Sequence, residues 1–87
     1  MKVEHHKKFK KHYKQRIAPY PGLRKKWEER AELFLRDPRN PLLRDHALEG
    51  MKVNYRAFSI TGDIRAIYRV IGNTLRFIDI GTHNQVY

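Results

Sequence analysis

The chain has 87 residues, with 19 Lys and Arg against 9 Asp and Glu, a formal net charge of +10 and no cysteine. Its length predicts one domain, 1–87, with one modest core, which excludes a large enclosed active site. The lack of cysteine excludes a disulfide framework and a thiolate metal site, and the charge favours nucleic acid or an acidic protein as partner. No run is apolar enough for a membrane span or a signal peptide, so we expect a cytoplasmic protein with no membrane partner.

The N-terminal segment predicts a brief strand followed by a basic helix. Apolar and polar side chains alternate in residues 1–5, which allows a short strand. From His6 onward, Phe9, Tyr13 and Ile17 recur at helical spacing, and lysines occupy the other faces. This pattern is typical of an amphipathic helix with one apolar stripe.

A second helix is predicted after two prolines. Pro21 suits the first helical turn, and Asp37-Pro38 ends the helix. Its apolar stripe consists of Leu23, Trp27, Ala31, Phe34 and Leu35. Two adjacent helices joined by a short turn form an antiparallel hairpin, whose apolar stripes require a sheet to cover.

The last part of the chain predicts three strands. An ordered connection, residues 39–52, precedes them and carries His46 in its middle. The turn Thr61-Gly62-Asp63 leads into residues 64–71, which alternate between polar and apolar side chains. Residues 74–80 follow after a Gly-Asn hairpin signal. One face of this sheet is expected to pack on the helices, and the other, with several arginines, is a candidate binding surface.

Polar side chains near these strands have ordinary interpretations when each is taken alone. His46 and His83 lie in a loop and at a strand end, where a surface histidine is the simpler interpretation. Asp63 occupies a turn, a position that Asp favours for bonds to nearby backbone. Arg65, two positions further, shares its side of the strand and forms either a surface ion pair or a phosphate site.

Neither a metal nor a cofactor is predicted. The five histidines lack the spacings of metal ligands such as His-Glu-x-x-His, and no carboxylates cluster with them in the sequence. The sequence also lacks a nucleotide loop of Walker type and a Gly-x-Ser-x-Gly motif.

Several segments, taken in their order and spacing, carry a family resemblance. They are Arg44-Asp45-His46-Ala47-Leu48-Glu49-Gly50, Tyr55-Arg56, the run from Gly62 to Val70, the run from Leu75 to His83, and the terminal Val86-Tyr87. With these segments the chain resembles the RelE-like toxins of bacterial toxin-antitoxin pairs, and within them the YafQ-like branch. The resemblance implies an α+β fold, with a two-helix hairpin packed on a small twisted antiparallel sheet of about four strands.

The same resemblance implies an activity and partners. The activity is metal-independent, ribosome-dependent cleavage of messenger RNA in the ribosomal A site, which inhibits translation. The partners are that RNA and a small, acidic, DNA-binding antitoxin, which forms a hetero-oligomer with the toxin and blocks it. Two alternatives stay open: a ParE-like toxin that inhibits DNA gyrase and cleaves nothing, and an inactive RNA-binding relic.

Position by position, the resemblance implies a catalytic set of His46, Asp63, His83 and Arg65. The two histidines would share proton transfer while the RNA 2′-hydroxyl attacks the phosphate, because imidazole titrates near neutral pH. Arg65 would stabilise the charge of the transition state. Asp63 would accept a proton or orient a histidine, and Tyr87 would stack on or position a base.

Five cationic residues are predicted to bind RNA phosphates. They are Arg44, Lys52 and Arg56, together with Lys10 and Lys11 of the first helix. For the two lysines, a solvated helix face is the alternative. A helix on a membrane surface fits the same charge pattern, but the sheet better explains the apolar stripe.

The chain departs from the family pattern at three positions. Ser59 stands where the branch commonly has a further functional histidine, and Ile64 stands where an aromatic residue is common. Asp79 stands where an arginine can precede Gly-Thr-His. These departures leave open which residues share proton transfer and phosphate binding. They also leave open the alternative of an inactive RNA-binding relic.

Overall fold

A computed structural model describes residues 1–50 and 54–87, which form an α+β fold with two helices packed on one face of a sheet. The elements are β1 (Lys2–His5), α1 (Lys7–Arg16), α2 (Pro21–Arg36), a 3-10 turn (Pro41–Leu43), β2 (His46–Ala47), β3 (Arg56–Ser59), β4 (Ile64–Ile71), β5 (Thr74–Thr82) and α3 (His83–Val86). None of the helices within the described residues has the length and apolar character needed to cross a bilayer.

The sheet has the strand order β1-β5-β4-β3-β2. Neighbouring strands among β2 to β5 are antiparallel, whereas β1 runs parallel to β5. The predicted α+β fold with two helices on a sheet is confirmed. The sheet differs in having five strands rather than about four, and in being mixed, because the N-terminal segment joins its edge.

The two helices begin and end where their sequences predict. The ring Nδ1 of His6 accepts a hydrogen bond from the backbone N of Lys8 and caps α1. Pro21 occupies the first position of α2, where no backbone donor is needed, and the helix ends at Arg36, ahead of Pro38. Local chemistry therefore marks where both helices begin and end, while packing on the sheet supplies most of their stability.

Aromatic rings fill the space between the helices and the sheet. Trp27 of α2 packs against Phe9 of α1 and against Phe58 and Phe77 of the sheet, with centroid distances of 5.3, 6.3 and 5.2 Å. We call this side of the sheet the helix face. The predicted stripe of α2 is wrong at one position: Leu35 is exposed, and Leu33 packs against the core instead.

A second, smaller cluster lies on the opposite side of the sheet, which we call the back face. Val86 of α3 is buried there against Ala57 of β3 and Ile67 of β4. Helix α3 is closed by a capping box, in which the backbone N of Thr82 donates to Gln85 Oε1 at 2.8 Å. The end of the chain is thereby held against the sheet.

Asp79 ties α1 to β5. Its carboxylate is buried, and Oδ1 accepts hydrogen bonds from Nδ1 of His12 at 2.6 Å and from the backbone N of Ile80 at 2.8 Å. Lys8 and Arg16 approach the same carboxylate at 3.6 and 3.7 Å. Because these three basic residues are spaced by four positions along α1, one helix stripe surrounds one acid. We call this group the Asp79 clasp.

Candidate active site

The candidate site lies on the back face, where β2, β4 and β5 meet α3. His46 of β2 pairs directly with Ala57 of β3, so both side chains lie on the same face of the sheet. Val86 packs on Ala57. The following residue, Tyr87, is consequently brought to His46.

Tyr87 contacts both predicted histidines. Its hydroxyl oxygen lies 3.2 Å from Nε2 of His46, and its ring meets the ring of His83 edge-on with a centroid distance of 4.3 Å. Both histidines are exposed. The structure thus brings His46, His83 and Tyr87 together on an accessible surface.

Hydrogen bonds select one ring form of His46. Nδ1 lies 3.0 Å from the carbonyl oxygen of Arg44. Because a carbonyl only accepts, Nδ1 carries the proton, and in the neutral ring Nε2 is then the acceptor for the Tyr87 hydroxyl. Arg44 presents this carbonyl from a left-handed backbone conformation with φ of 49°.

Arg65 completes the cluster from β4. Its Nη1 donates to the carbonyl oxygens of Thr61 and Gly62 at 3.2 and 3.1 Å, which fixes a half-buried guanidinium at the start of the strand. Burial raises the pKa of Tyr87, and the charge and hydrogen bond of Arg65 offset part of that increase. The guanidinium therefore lies beside the Tyr87 hydroxyl.

Asp63 lies at the rim of the site without joining the cluster. Its backbone N donates to Oγ1 of Thr61 at 3.2 Å, as expected for the predicted turn. Within the described part of the chain, its exposed carboxylate forms no hydrogen bond or ion pair, and neither His46 nor His83 is its partner.

Of the five predicted RNA-binding cations, the four that the structure describes are not brought to one place. Arg44 lines a cleft beside the site. Lys10 and Lys11 are exposed on α1, which packs on the helix face, away from His46. Lys52 lies outside the described residues.

Arg56 also points away from the site. It pairs with Tyr68 in the sheet, a core residue of the helix face. Its Nη2 lies 3.2 Å from Oδ2 of Asp45, whose Oδ1 accepts the Tyr68 hydroxyl at 2.7 Å. The hydrogen bond to Asp45 raises the pKa of Arg56, and burial, reinforced by Asp45, raises the pKa of Tyr68.

Two of the three residues that depart from the family pattern have structural roles away from the site. Asp79 forms the clasp with α1. Ile64 packs against the helix-face core. Ser59 is buried opposite Arg65 in the sheet and lines the cleft. It is therefore the one of the three that borders the site.

Sequence reasoning missed two residues of that cleft, Lys26 and Arg30 of α2. Their spacing of four positions was a usable signal, because it places two cations side by side on one helix face. Among the residues that the structure describes, no three His, Cys, Asp or Glu side chains come together as metal ligands.

Comparison with known families identifies the chain. A family model described as "Bacterial toxin of type II toxin-antitoxin system, YafQ" matches residues 1–87. The chain belongs to the YafQ family of toxins. The predicted membership is thereby confirmed, together with the class of type II toxins. No match to the chain was found among curated proteins.

Solved structures share the fold of this YafQ-family toxin. YafQ from E. coli strain BL21(DE3) is 23% identical, with a TM-score of 0.84 over 98% of this chain and 96% of that one. A metal-bound toxin from Helicobacter pylori is 25% identical, with a TM-score of 0.79 over 100% and 99% of the two chains. In the E. coli DinJ-YafQ complex, the matched chain is 23% identical, with a TM-score of 0.81 over 98% and 96%.

Proposed function

We propose that this YafQ-family toxin is an endoribonuclease that cleaves messenger RNA on the ribosome without a metal and so inhibits translation. The observation that carries the proposal is the contact of Tyr87 with His46 and His83 on an exposed face. Two imidazoles, one phenol and one guanidinium within one cluster match the needs of RNA cleavage through the 2′-hydroxyl.

In the proposed reaction, the 2′-oxygen loses its proton to a base and attacks the adjacent phosphorus. A 2′,3′-cyclic phosphate forms, the bond from phosphorus to the 5′-oxygen breaks, and an acid protonates the leaving 5′-oxygen. In the ring form described above, the lone pair of His46 lies on Nε2, which suits the base once the 2′-hydroxyl replaces the Tyr87 hydroxyl at that nitrogen. His83 is then the acid, and each role is worth about 10²- to 10⁴-fold in rate.

Arg65 and Tyr87 support these proton transfers. The guanidinium of Arg65 is held by two carbonyl oxygens and stays positively charged, so it stabilises charge that develops on the phosphate. Tyr87 orients His46 through its hydroxyl, and its partly exposed ring offers a surface on which an unpaired base stacks. Asp63 at the rim is available to contact a base or a water.

The partner of this toxin is a cognate antitoxin. The family is defined by toxin-antitoxin pairs, and the E. coli relative has been crystallised with DinJ. A net charge of +10 favours an acidic partner, and the two chains together form a hetero-oligomer. Binding of the antitoxin blocks the access of messenger RNA to the site.

The proposal is tested by expressing the wild type and a His83→Ala variant in cells and mapping the ends of messenger RNA. The wild type is expected to cut messenger RNA at fixed codon positions and to arrest growth. His83→Ala is expected to do neither, although it still binds the antitoxin as the wild type does. Asn84→Ala is the matched control, since it changes an exposed neighbour on the same helix and retains cleavage. Breaks in DNA that depend on gyrase, or full cleavage by His83→Ala, would overturn the proposal.

A further inference from the structure

A basic cleft lies between α2 and the turn that joins β3 to β4. Its volume is about 360 Å³. Its lining includes Lys26, Arg30, Arg44, Ser59, Thr61 and Gly62. Three of these side chains are cations and none is a carboxylate, so the cleft has a concentrated positive charge and an affinity for anions.

The cations of the cleft have no acidic partners among the residues that the structure describes. Within the described residues, neither Lys26, Arg30 nor Arg44 forms an ion pair, whereas other arginines of the chain do, such as Arg56 with Asp45. Lys26 and Arg30 are half-buried and four positions apart on α2, where two like charges repel each other. This repulsion lowers the stability of the free protein, and an anion bound between the two cations would relieve it.

Arg30 is held in a fixed position over the cleft. Its Nη1 donates to the carbonyl oxygen of Leu42 at 2.8 Å, which anchors one end of the guanidinium. A guanidinium has five N–H donors, and its fork matches two oxygens of a phosphate. The anchored side chain therefore binds a phosphate at a small cost in side-chain entropy.

The cleft shares its walls with the candidate active site. The carbonyl of Arg44 accepts from Nδ1 of His46, and the carbonyls of Thr61 and Gly62 accept from Arg65. Residues that line the cleft are thus bonded directly to two groups of the proposed catalytic set. A phosphate bound in the cleft would therefore lie next to the groups that are proposed to act on RNA.

We infer that the cleft between α2 and the β3–β4 turn binds a backbone phosphate of single-stranded RNA, one that flanks the phosphate to be cleaved. The inference rests on the proposed function in one respect, namely that the substrate is RNA. Lys26, Arg30 and Arg44 supply the charge, and the buried Ser59 contributes a hydroxyl on the cleft wall. Such a subsite positions the strand, because phosphate contacts set its register over the histidines.

The test measures binding of a ten-nucleotide single-stranded RNA with 2′-O-methyl groups, which cannot be cleaved through the 2′-oxygen. Fluorescence anisotropy at several salt concentrations gives its affinity for the wild type and for a Lys26→Gln/Arg30→Gln variant. The control is Lys25→Gln/Arg36→Gln, which removes the same charge from exposed positions of the same helix. The cleft variant is expected to bind about tenfold more weakly than the control, with a salt slope smaller by about 1.

Further measurements distinguish weaker RNA binding at the cleft from unfolding of a variant and from a failure of the proposed catalysis. Thermal unfolding checks both double variants, and Lys26→Glu serves as a second cleft variant that leaves the Arg30 to Leu42 bond intact. Equal affinity of the cleft and control variants, or no binding of the probe by wild type, would overturn the subsite. If His83→Ala still cleaves RNA while the cleft variants lose binding, the proposed catalysis fails and the subsite stands.

Discussion

The hydroxyl of Tyr87 lies 3.2 Å from Nε2 of His46, although the two residues are 41 positions apart in the chain. The contact exists because Val86 anchors α3 on the back face of the sheet, while β2 carries His46 onto that face. The last side chain of the sequence thus orients a group in the middle of it. The first prediction concerns this hydrogen bond.

Tyr87→Phe is expected to lower RNA cleavage about fivefold, because it removes a hydrogen bond worth roughly 1 kcal/mol and leaves His46 less well oriented. The ring stays against His83, so Tyr87→Ala is expected to lose more. Single-turnover cleavage of a ribosome-bound messenger RNA measures both variants. Cleavage by Tyr87→Phe as fast as that by the wild type would show that the hydroxyl has no role.

Arg65→Gln is expected to lower the rate of RNA cleavage by about 10²- to 10³-fold. This is the loss typically seen when one preorganised hydrogen-bond donor is removed from a site that stabilises developing negative charge. The same change is expected to raise the pKa of Tyr87 further, because the positive charge of Arg65 now favours the ionised phenol. NMR titration of the tyrosine Cζ signals reads this shift. A pKa of Tyr87 that falls or stays constant would place Arg65 away from the hydroxyl.

Asp79→Ala is expected to lower the free energy of unfolding by about 3 kcal/mol, because it leaves the buried end of the Asp79 clasp without its acid. Asp63→Ala is the control, since it removes the same charge from an exposed turn and should change stability by no more than about 0.5 kcal/mol. Urea unfolding measures both. Similar values for the two variants would contradict a structural role for the clasp.

Stability is expected to fall as the pH rises above about 10, the ordinary pKa of tyrosine. The folded state raises the pKa of Tyr68 through burial and Asp45, so the unfolded chain loses this proton first, and ionisation draws the equilibrium towards unfolding. Tyr68→Phe should show a flatter decline, whereas Tyr20→Phe, at an exposed position, should follow the wild type. Denaturant unfolding between pH 8 and 11 compares the slopes.

The helices and the three main strands were predictable because their signals are local. Proline, hydrophobic periodicity and the Gly72-Asn73 turn each act within a few residues. The parallel pairing of β1 with β5 was not predictable from such signals, since its residues have partners far along the chain. Helix α3 did carry a local signal that was overlooked, the capping pair Thr82 and Gln85.

Of the candidate site, the types of group could be predicted and their distances could not. His46, His83 and Arg65 follow from the family resemblance, but their meeting point depends on where α3 docks. Arg56 shows the limit of such reasoning: alternation along β3 puts it on the helix face, where Asp45 binds it. A position in a motif does not tell which face of a sheet the side chain reaches.

The order in which the chain is made has a consequence for the toxin. Both β1 and α1 are held mainly by β5, with Glu4 bonded to Arg76 across 72 positions. Contacts of such long range form late, since the chain between them must first be synthesised and closed into a loop. Helix α3 follows β5 directly, so the first strand and the histidine cluster are completed together. A half-translated chain therefore has neither its first strand paired in the sheet nor the contact between Tyr87 and His46.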